Sequence, residues 1–393
     1  MRLRDYLIEV APKSPLYSAV RRGWIKPIAP LTLTFSVTPA CQSRCLTCQI
    51  GQRFAEQPRL TQKNLSLTEI ETIFSSLGPI YFFNISGGEP FMRTDLAEII
   101  RLACLYLKPR LIHIPTNALE PETIEKSTRE ILAVIDEHGP SSVSLTIKPS
   151  IDGVGEIHDK IRGFAGNFAK LEQTLDRLLA LKKHHPRLHV DLGTVISVYN
   201  IDHMDELESW VHNRGVDSYR HEIAECRYEF HNQTDNITPS QAVYARLIAG
   251  FQDKIKGHLH HKTRLTQATE SVRLVYYEVA LKIIQEGRQV TPCYGGISNI
   301  HLNYDGEVWP CCVLGSDKSL GNARSYHGDI RRLLQSDQAT LSRRFISEGG
   351  CACPLANQWL NNILLHPRWM FRVLFQFLAV LIRSFKVSTH STP

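Results

Sequence analysis

Between residues 31 and about 224, short runs of β-branched and aromatic residues alternate with stretches whose apolar positions recur every three or four residues. The runs 31–37, 81–86, 111–116, 143–150, 188–197 and 218–224 predict strands, and the amphipathic stretches 66–77, 94–106, 121–138, 168–185 and 204–214 predict helices. Ser66 followed by Glu69 writes a capping box at the start of the first of these helices. Six strands alternating with helices predict a parallel sheet with right-handed crossovers, a fold in which chemistry gathers where strands end and loops begin. The polar stretch 231–236 marks a boundary, and 238–287 reads as helical. Beyond Pro292 the pattern changes: Gly295-Gly296, Asp305-Gly306 and the last five cysteines predict a small, loop-rich unit that needs a metal to fold. Within it, 300–302 and 308–309, joined by Asp305-Gly306, read as a β-hairpin that would bring Cys293 and Cys311 together.

The final stretch, 366–386, is mostly apolar and aromatic, with Arg368, Arg372, Arg383 and Lys386 spread along it. Its uninterrupted apolar core, 377–382, is far shorter than the ~20 residues a bilayer requires. Two readings stay open: a terminal helix docked on its own protein, and an amphipathic helix lying on a membrane surface. No internal repeat or low-complexity segment is evident.

Composition narrows the class. At 393 residues, with 43% hydrophobic and 21% charged residues, the chain has material for a large core and is expected to form two folded units. The net charge of +6 belongs to the ends: residues 1–40 carry six Lys/Arg against two acids, and residues 349–393 four against none. A nearly neutral body argues against nucleic acid as a partner, and the basic ends leave an anionic membrane surface open. The N-terminus lacks the long apolar core of a signal peptide, so a reducing cytoplasm is expected, where clustered cysteines more often bind metal than form bridges.

The densest chemistry lies just after the first strand. Cys41, Cys45 and Cys48 place three thiols within eight residues, compact enough to face one cluster. An iron–sulfur cube has four irons and prefers thiolate ligands, so three cysteines leave one iron open. A structural zinc site would want a fourth protein ligand nearby, and no Cys or His follows within the next dozen residues. At the end of the second strand, Gly87 and Gly88 allow close backbone approach, and Glu89 can accept hydrogen bonds from an amino group. After the fourth strand, Ser150 and Arg162 offer a hydroxyl and a guanidinium that can together hold a carboxylate, and Asp152 adds a carboxylate beside them. His158 and Asp159 read as local loop contacts. Thr194 and Asn200 are polar residues at the end of the fifth strand, where ligands gather in such folds. Glu222, Ala224 and Cys226 alternate onto one face and form a candidate substrate-side patch. Cys104, inside a helix, reads as a buried apolar thiol.

The Cys-x3-Cys-x2-Cys spacing of Cys41, Cys45 and Cys48 after a first strand resembles the signature of the radical S-adenosylmethionine (SAM) superfamily, over roughly residues 31–230. Gly87-Gly88-Glu89 resembles that family's GGE motif, and 150–163 resembles the Ser-x-Asp-Gly…His-Asp-x-x-Arg segment of its SPASM/Twitch subgroup. Cys293-x12-Gly306-x4-Cys311 with Cys351 and Cys353 resembles the shorter Twitch extension, which holds one auxiliary iron–sulfur cluster. Two positions depart from the pattern: Thr47 stands where an aromatic residue is usual, and Ala118 where relatives often have glycine.

The resemblance implies an α/β partial (β/α)6 TIM-like barrel with a small C-terminal iron–sulfur domain. The expected divisions are a basic extension at 1–30, the barrel at 31–230, a helical connector at 231–290, the cluster domain at 291–360 and a basic amphipathic tail at 361–393. It further implies that SAM chelates the open iron of a [4Fe–4S] cluster through its amino and carboxyl groups. A reduced cluster then cleaves SAM to methionine and a 5′-deoxyadenosyl radical, which abstracts hydrogen from a substrate. Glu89 in the Gly87-Gly88-Glu89 motif would contact the methionine amino group, Ser150 and Arg162 its carboxylate, Asp152 the ribose, and Thr194 or Asn200 the adenosine. Cys293, Cys311, Cys351 and Cys353 would hold the auxiliary cluster, with Cys312 competing for a place and zinc as the alternative occupant. A reductant such as flavodoxin or ferredoxin is implied. The substrate, a peptide or protein or a lipid-linked or small molecule, stays open, as does a non-catalytic scaffold or electron carrier. The location expected is cytoplasmic, with peripheral contact at the inner membrane face through the tail.

Overall fold

The computed structural model describes residues 6–259 and 264–390. Arg2 and Arg4 of the basic N-terminus and the last three residues of the tail lie outside the described residues. The chain divides into two compact units, one formed by 27–238 with 296–343, the other by 1–26, 239–295 and 344–393.

The first unit is built on one nine-stranded sheet. Its strands are β1 (Thr32–Ser36), β2 (Phe82–Ser86), β3 (Leu111–Thr116), β4 (Ser144–Pro149), β5 (Leu188–Ile196), β6 (Ser218–Ile223), β7 (Asn299–Leu302), β8 (Glu307–Trp309) and β9 (Gly321–Asn322). Their order is β6-β5-β4-β3-β2-β1-β7-β8-β9. The first six pair in parallel, in register through Phe35↔Ile85, Ile114↔Ile147 and Thr194↔His221, with helices between them as the alternating pattern predicts. β1 is buried at all five positions, as a strand covered on both faces must be. Phe74, from the helix Leu67–Leu77, packs edge-on against Phe35 (6.1 Å) and Phe83 (5.5 Å) and locks that helix onto β1 and β2. Burying one such ring contributes about 1.5–3 kcal/mol. The helix opens on the expected capping box, and Glu69 also pairs with Arg324 at 2.6 Å.

Three differences from the sequence pattern have local causes. The helix expected over 94–106 is Leu96–Leu102 followed by a wider turn, Ala103–Leu107, and ends where Lys108 takes φ 47°. Two short helices, Ile50–Glu56 and Glu156–Arg162, are too brief for a periodic signature. The hairpin after Pro292 does not stand apart as its own unit: β7 pairs in parallel with β1 through Leu33↔Ile300, and β8 and β9 continue antiparallel from it. All four residues of β7 are buried, so the hairpin needs cover on both faces and extends the sheet.

The second unit is helical, comprising Ser14–Arg21, Gln241–His258, Arg264–Glu286, Ala356–Leu365 and Pro367–His390. Tyr17, Tyr244, Phe251, Tyr277 and Trp359 are its large buried side chains. The terminal helix docks on Arg264–Glu286 through the Arg372–Glu278 ion pair at 2.7 Å, and Val380 is buried with Leu259 and Leu274. Its other face presents Phe371 (70% exposed), Leu374, Phe375 (66%) and Leu378. Among the described residues no single helix is long and apolar enough to cross a membrane; Ala356–Leu365 and Pro367–Leu381 reach that length and apolarity only as a pair bent by 93°.

Candidate functional site

The loop between β1 and Ile50–Glu56 carries Cys41, Cys45 and Cys48, and backbone bonds clamp it from three sides. Gly88 and Glu89 donate to Thr38 O (2.8 Å) and Ala40 O (2.7 Å); Arg44 and Leu46 donate to Arg162 O (3.1 Å) and Ile161 O (2.8 Å). From the turn after β6, Asn232 Nδ2 donates to Thr47 O at 2.8 Å, and Gln49 N donates to Phe230 O at 2.9 Å. Glycine is required at the contacts: a Cβ on Gly88 would fall 2.1 Å from Ala40 O, one on Gly51 1.7 Å from Ser43 O, and one on Gly163 2.2 Å from Arg44 O. The loop therefore has one shape, dictated by the elements behind it.

The three thiols feel one another inside this clamp. Burial pushes Cys41 up to about 12, with the neighbouring Cys45 and Glu89 adding to the rise. Burial also raises Cys45, opposed by Arg162, and raises Cys48 well above the usual thiol range, with Cys45 contributing. Such thiols ionise only when positive charge arrives, and bound iron supplies it. Asn117 Nδ2 lies 3.9 Å from Cys41 Sγ and Arg162 Nη1 3.8 Å from Cys45 Sγ, distances suited to N–H···S contacts that steady sulfur ligands. The all-sulfur donor set with three members fits a [4Fe–4S] cluster with one open iron.

Around the loop, the expected SAM contacts fall into two groups. Glu89 is buried and accepts from Thr116 Oγ1 (2.9 Å), Phe91 N (3.2 Å) and Asn117 N (2.7 Å); burial nevertheless lifts its pKa to about 7. Arg162 pairs with Asp152 at 2.9 Å and stays protonated despite burial because Asp152 and Cys45 face it. Its Nε is buried without a partner, and the Ser150 hydroxyl makes no hydrogen bond among the described residues. A free guanidinium donor and a free hydroxyl fit a ligand carboxylate. Asp152, Thr194 and Asn200 are instead engaged with their surroundings. Asp152 Oδ1 accepts from Val195 N at 2.9 Å, and Thr194 Oγ1 donates to Ile151 O at 2.5 Å. Asn200 donates to Asp152 O and Val195 O, both at 3.0 Å, and accepts from Ser197 N and Oγ. With all four amide valences used, Asn200 ties the 152 loop to the end of β5. His158 Nδ1 accepts from Asp152 N at 3.1 Å, and Asp159 accepts from Gly166 N and Phe168 N, so both are local supports.

The patch expected from alternation past β6 takes a different form. The strand stops at Ile223, so Ala224 and Cys226 do not continue Glu222's face; Glu222 and Glu225 instead meet on Arg227, each at 3.5 Å. Burial lifts Glu225 to about 7. Sequence reasoning passed over several inward polar residues: Ser36, Ser86, Lys148, Glu229 and His301. Ser36, Ser86 and His301 lie on strands read as pairing elements, and a strict period-two reading of faces was the available signal.

Cys293, Cys351 and Cys353 belong to the helical unit and Cys311 and Cys312 to the sheet unit. Burial raises Cys351 to about 11, with the Cys293 charge adding to it, and Gln289 Nε2 donates toward Cys351 Sγ at 3.7 Å. Trp359 Nε1 donates to Cys353 O, and Tyr276 OH to Pro354 O at 2.9 Å. Cys104 is buried, as an apolar thiol would be.

Residues 35–211 match the radical SAM superfamily, and residues 293–354 match an iron–sulfur cluster-binding domain of the SPASM type. An AdoMet-dependent heme synthase from Oleidesulfovibrio alaskensis is 25% identical over 304 residues, covering 74% of this chain and 71% of that protein. The mycofactocin maturase MftC of Mycobacterium ulcerans is 26% identical over 48% of this chain, and this chain spans 46% of its length. AlbA of Bacillus subtilis, a subtilosin biosynthesis protein, is 22% identical over 78% of this chain and 60% of its own length. Among solved structures, Streptococcus suis SuiB bound to precursor peptide SuiA shares the fold at TM-score 0.57 and 14% identity, covering 83% of this chain and 68% of that one. A structure of anSMEcpe with bound AdoMet shares it at TM-score 0.54 and 16% identity, covering 92% and 100%. At these identities the likeness concerns the fold.

Proposed function

The chain belongs to the radical SAM superfamily, is an enzyme of that class using [4Fe–4S] clusters and SAM, and carries a SPASM-type cluster domain; from that premise we propose that it abstracts hydrogen from a carboxylate-bearing substrate held in the sheet unit. When bound, the cluster and SAM supply a one-electron cleavage that yields a hydrogen-abstracting radical. Cys41, Cys45 and Cys48 hold the cluster and leave one iron open. Glu89 accepts the amino group of SAM, Ser150 and Arg162 take its carboxylate, and Asp152 holds Arg162 in place. Thr194 and Asn200 shape the adenosine side by fixing the loops around it. Cys293, Cys311, Cys351 and Cys353 would hold an auxiliary cluster, which would supply electron-transfer chemistry, and a flavodoxin or ferredoxin would supply the first electron.

The observation that carries the substrate class is Lys148. This half-buried residue of β4 makes no hydrogen bond or ion pair among the described residues, and its stem lies on Gly193, where a Cβ would fall 3.0 Å from its Cδ and Cε. Burial lowers its pKa while Glu222 opposes that, and an amine with no partner among the described residues suits a carboxylate that can pair with it. The relatives are named for heme synthesis and for peptide maturation, and substrates of either kind can offer a carboxylate. That these relatives are named as a synthase and a maturase speaks for catalysis over a non-catalytic scaffold.

The test uses lysate from deuterium-grown cells, fractionated by charge and added to the reduced enzyme with SAM. Deuterium appearing in 5′-deoxyadenosine from an anion-exchange-retained fraction, lost on methyl esterification of that fraction and weakened by Lys148→Met, supports the reading. Transfer only from the unretained fraction, or equal transfer by Lys148→Met, overturns it.

For location, the exposed stripe Phe371, Leu374, Phe375 and Leu378 lies on a helix carrying Arg368 and Arg372, with no acid from 349 onward. This favours peripheral contact with an anionic membrane face from the cytoplasm. Sedimentation with phosphatidylglycerol vesicles should fall at least fivefold on joint Phe371→Glu and Phe375→Glu; unchanged sedimentation refutes it.

A further inference from the structure

Three ligating side chains outside the SAM contacts converge within the sheet unit. Glu229 lies in the turn after β6, His301 is the third residue of β7, and Cys312 follows β8 by three residues. All three are buried, and one donor atom from each lies within 4.8 Å of the others. The Glu229 Oε1 to His301 Nε2 separation is 3.6 Å. Around a tetrahedral zinc ion with bonds of roughly 2.0–2.3 Å, neighbouring ligand atoms stand roughly 3.4–3.6 Å apart, so this pair already has a chelating separation.

The arrangement is built rather than incidental. Ser36 Oγ and Ser86 Oγ donate to Glu229 Oε1 at 3.0 and 2.9 Å, and Ser36 Oγ lies 2.7 Å from His301 Nε2. Glu229 N donates to Cys312 O at 3.3 Å and Tyr228 N to Val313 O at 3.2 Å, which pins the turn after β6 to the segment carrying the thiol. The His301 ring packs on Trp309, centroids 4.9 Å apart. A carboxylate, an imidazole and a thiol come from three separate stretches of chain; Ser86 supports the Glu229 carboxylate, and the Ser36 contact to His301 Nε2 is the one a metal on that nitrogen displaces. Mixed oxygen, nitrogen and sulfur donors in threes suit a divalent ion of intermediate softness that keeps a fourth position for water.

We propose that Glu229, His301 and Cys312 bind one zinc ion, separate from both iron–sulfur clusters. Beside the Arg227 guanidinium that already faces Cys312 and Glu229, the ion's two positive charges offset the carboxylate and the thiolate, with the imidazole neutral. The site also gives Cys312 a role of its own, leaving Cys311 to the auxiliary cluster.

The enzyme is purified anaerobically from zinc-supplemented cells, its zinc, iron and sulfide are quantified, and its zinc environment is read by X-ray absorption. The expected result is about one zinc per chain, with one sulfur near roughly 2.3 Å and two or three nitrogen or oxygen ligands near roughly 2.0 Å. His301→Ala and Glu229→Gln should each lower zinc at least tenfold with iron and sulfide unchanged. Absence of zinc, or a zinc shell dominated by sulfur, overturns the proposal. So does Cys312→Ala losing iron and sulfide together with zinc, because Cys312 would then be a cluster ligand. Should a variant fail to fold, the sulfur count in the unmodified enzyme decides alone.

Discussion

Replacing Gly88 with alanine should cripple the site through one methyl group. A Cβ there would sit 2.1 Å from Ala40 O and 2.6 Å from Ala40 C, both backbone atoms of the residue just before Cys41. Ordinary contact begins at about 3.4 Å, so the turn and the loop must part by more than about 1 Å. That movement breaks Gly88 N→Thr38 O and Glu89 N→Ala40 O, the bonds that hold the two segments together. Two net hydrogen bonds amount to about 2 kcal/mol of stability. A displacement of about 1 Å at reacting groups costs on the order of 100-fold in rate. The assay is 5′-deoxyadenosine formation by the reduced, cluster-loaded enzyme, beside its iron content and melting temperature. Gly250→Ala is the control: nothing lies within 4 Å of its Cβ, and it sits inside the helix Gln241–His258. That control should gain up to about 1 kcal/mol from helix propensity and keep full activity. A Gly88→Ala enzyme with normal iron content and a rate within threefold of the parent would refute the claim that this turn clamps the cysteine loop.

Three further outcomes follow from the same geometry. Glu89, buried with its pKa lifted to about 7, disfavours its ionised form in the fold. Its unfavourable contribution therefore grows as pH climbs from about 4.5 through 7 and levels off at about 3 kcal/mol above that. Relative to Glu89→Gln, the parent should lose stability between pH 5 and 8 in denaturant unfolding, and parallel curves would contradict the burial argument. Cys45→Ala should abolish SAM cleavage while Cys353→Ala keeps part of it; equal loss would mean the second cysteine set is needed for folding. Lys108, exposed at φ 47° where the turn after Leu102 ends, pays for a left-handed backbone that glycine adopts freely. Lys108→Gly should stabilise by about 0.5–1 kcal/mol, read as a rise in melting temperature.

The parts of this site legible in sequence are those written within one short stretch. Cys41, Cys45 and Cys48 fall in a single loop, so their spacing alone limits what they can bind, and Gly88 and Glu89 sit side by side at a strand end. The strands and the longer helices along 31–224 were equally readable, because each follows from a local period and the capping box of Ser66 and Glu69 is self-contained. The hairpin's destination was not. Asp305-Gly306 announces a turn, but that β7 would lie parallel to β1 depends on a pairing across more than 260 residues, for which neither strand carries a mark.

Residue type also underdetermined role wherever a polar side chain had two chemically equivalent uses. Asn200 at the end of β5 can reach a ligand or close a loop, and both uses need the same donors and acceptors; in this structure its four hydrogen bonds all go to the chain. Ser150 poses the same choice, and its hydroxyl makes no hydrogen bond among the described residues. Glu229, His301 and Cys312 are the extreme case. Each alone reads as an ordinary residue of a turn, a strand and a cysteine pair, and their chemistry exists only once the sheet places Ser36 and Ser86 beneath them. That is why the cluster loop could be found from the order of residues, whereas the ligand set beside it requires knowing which strands are neighbours.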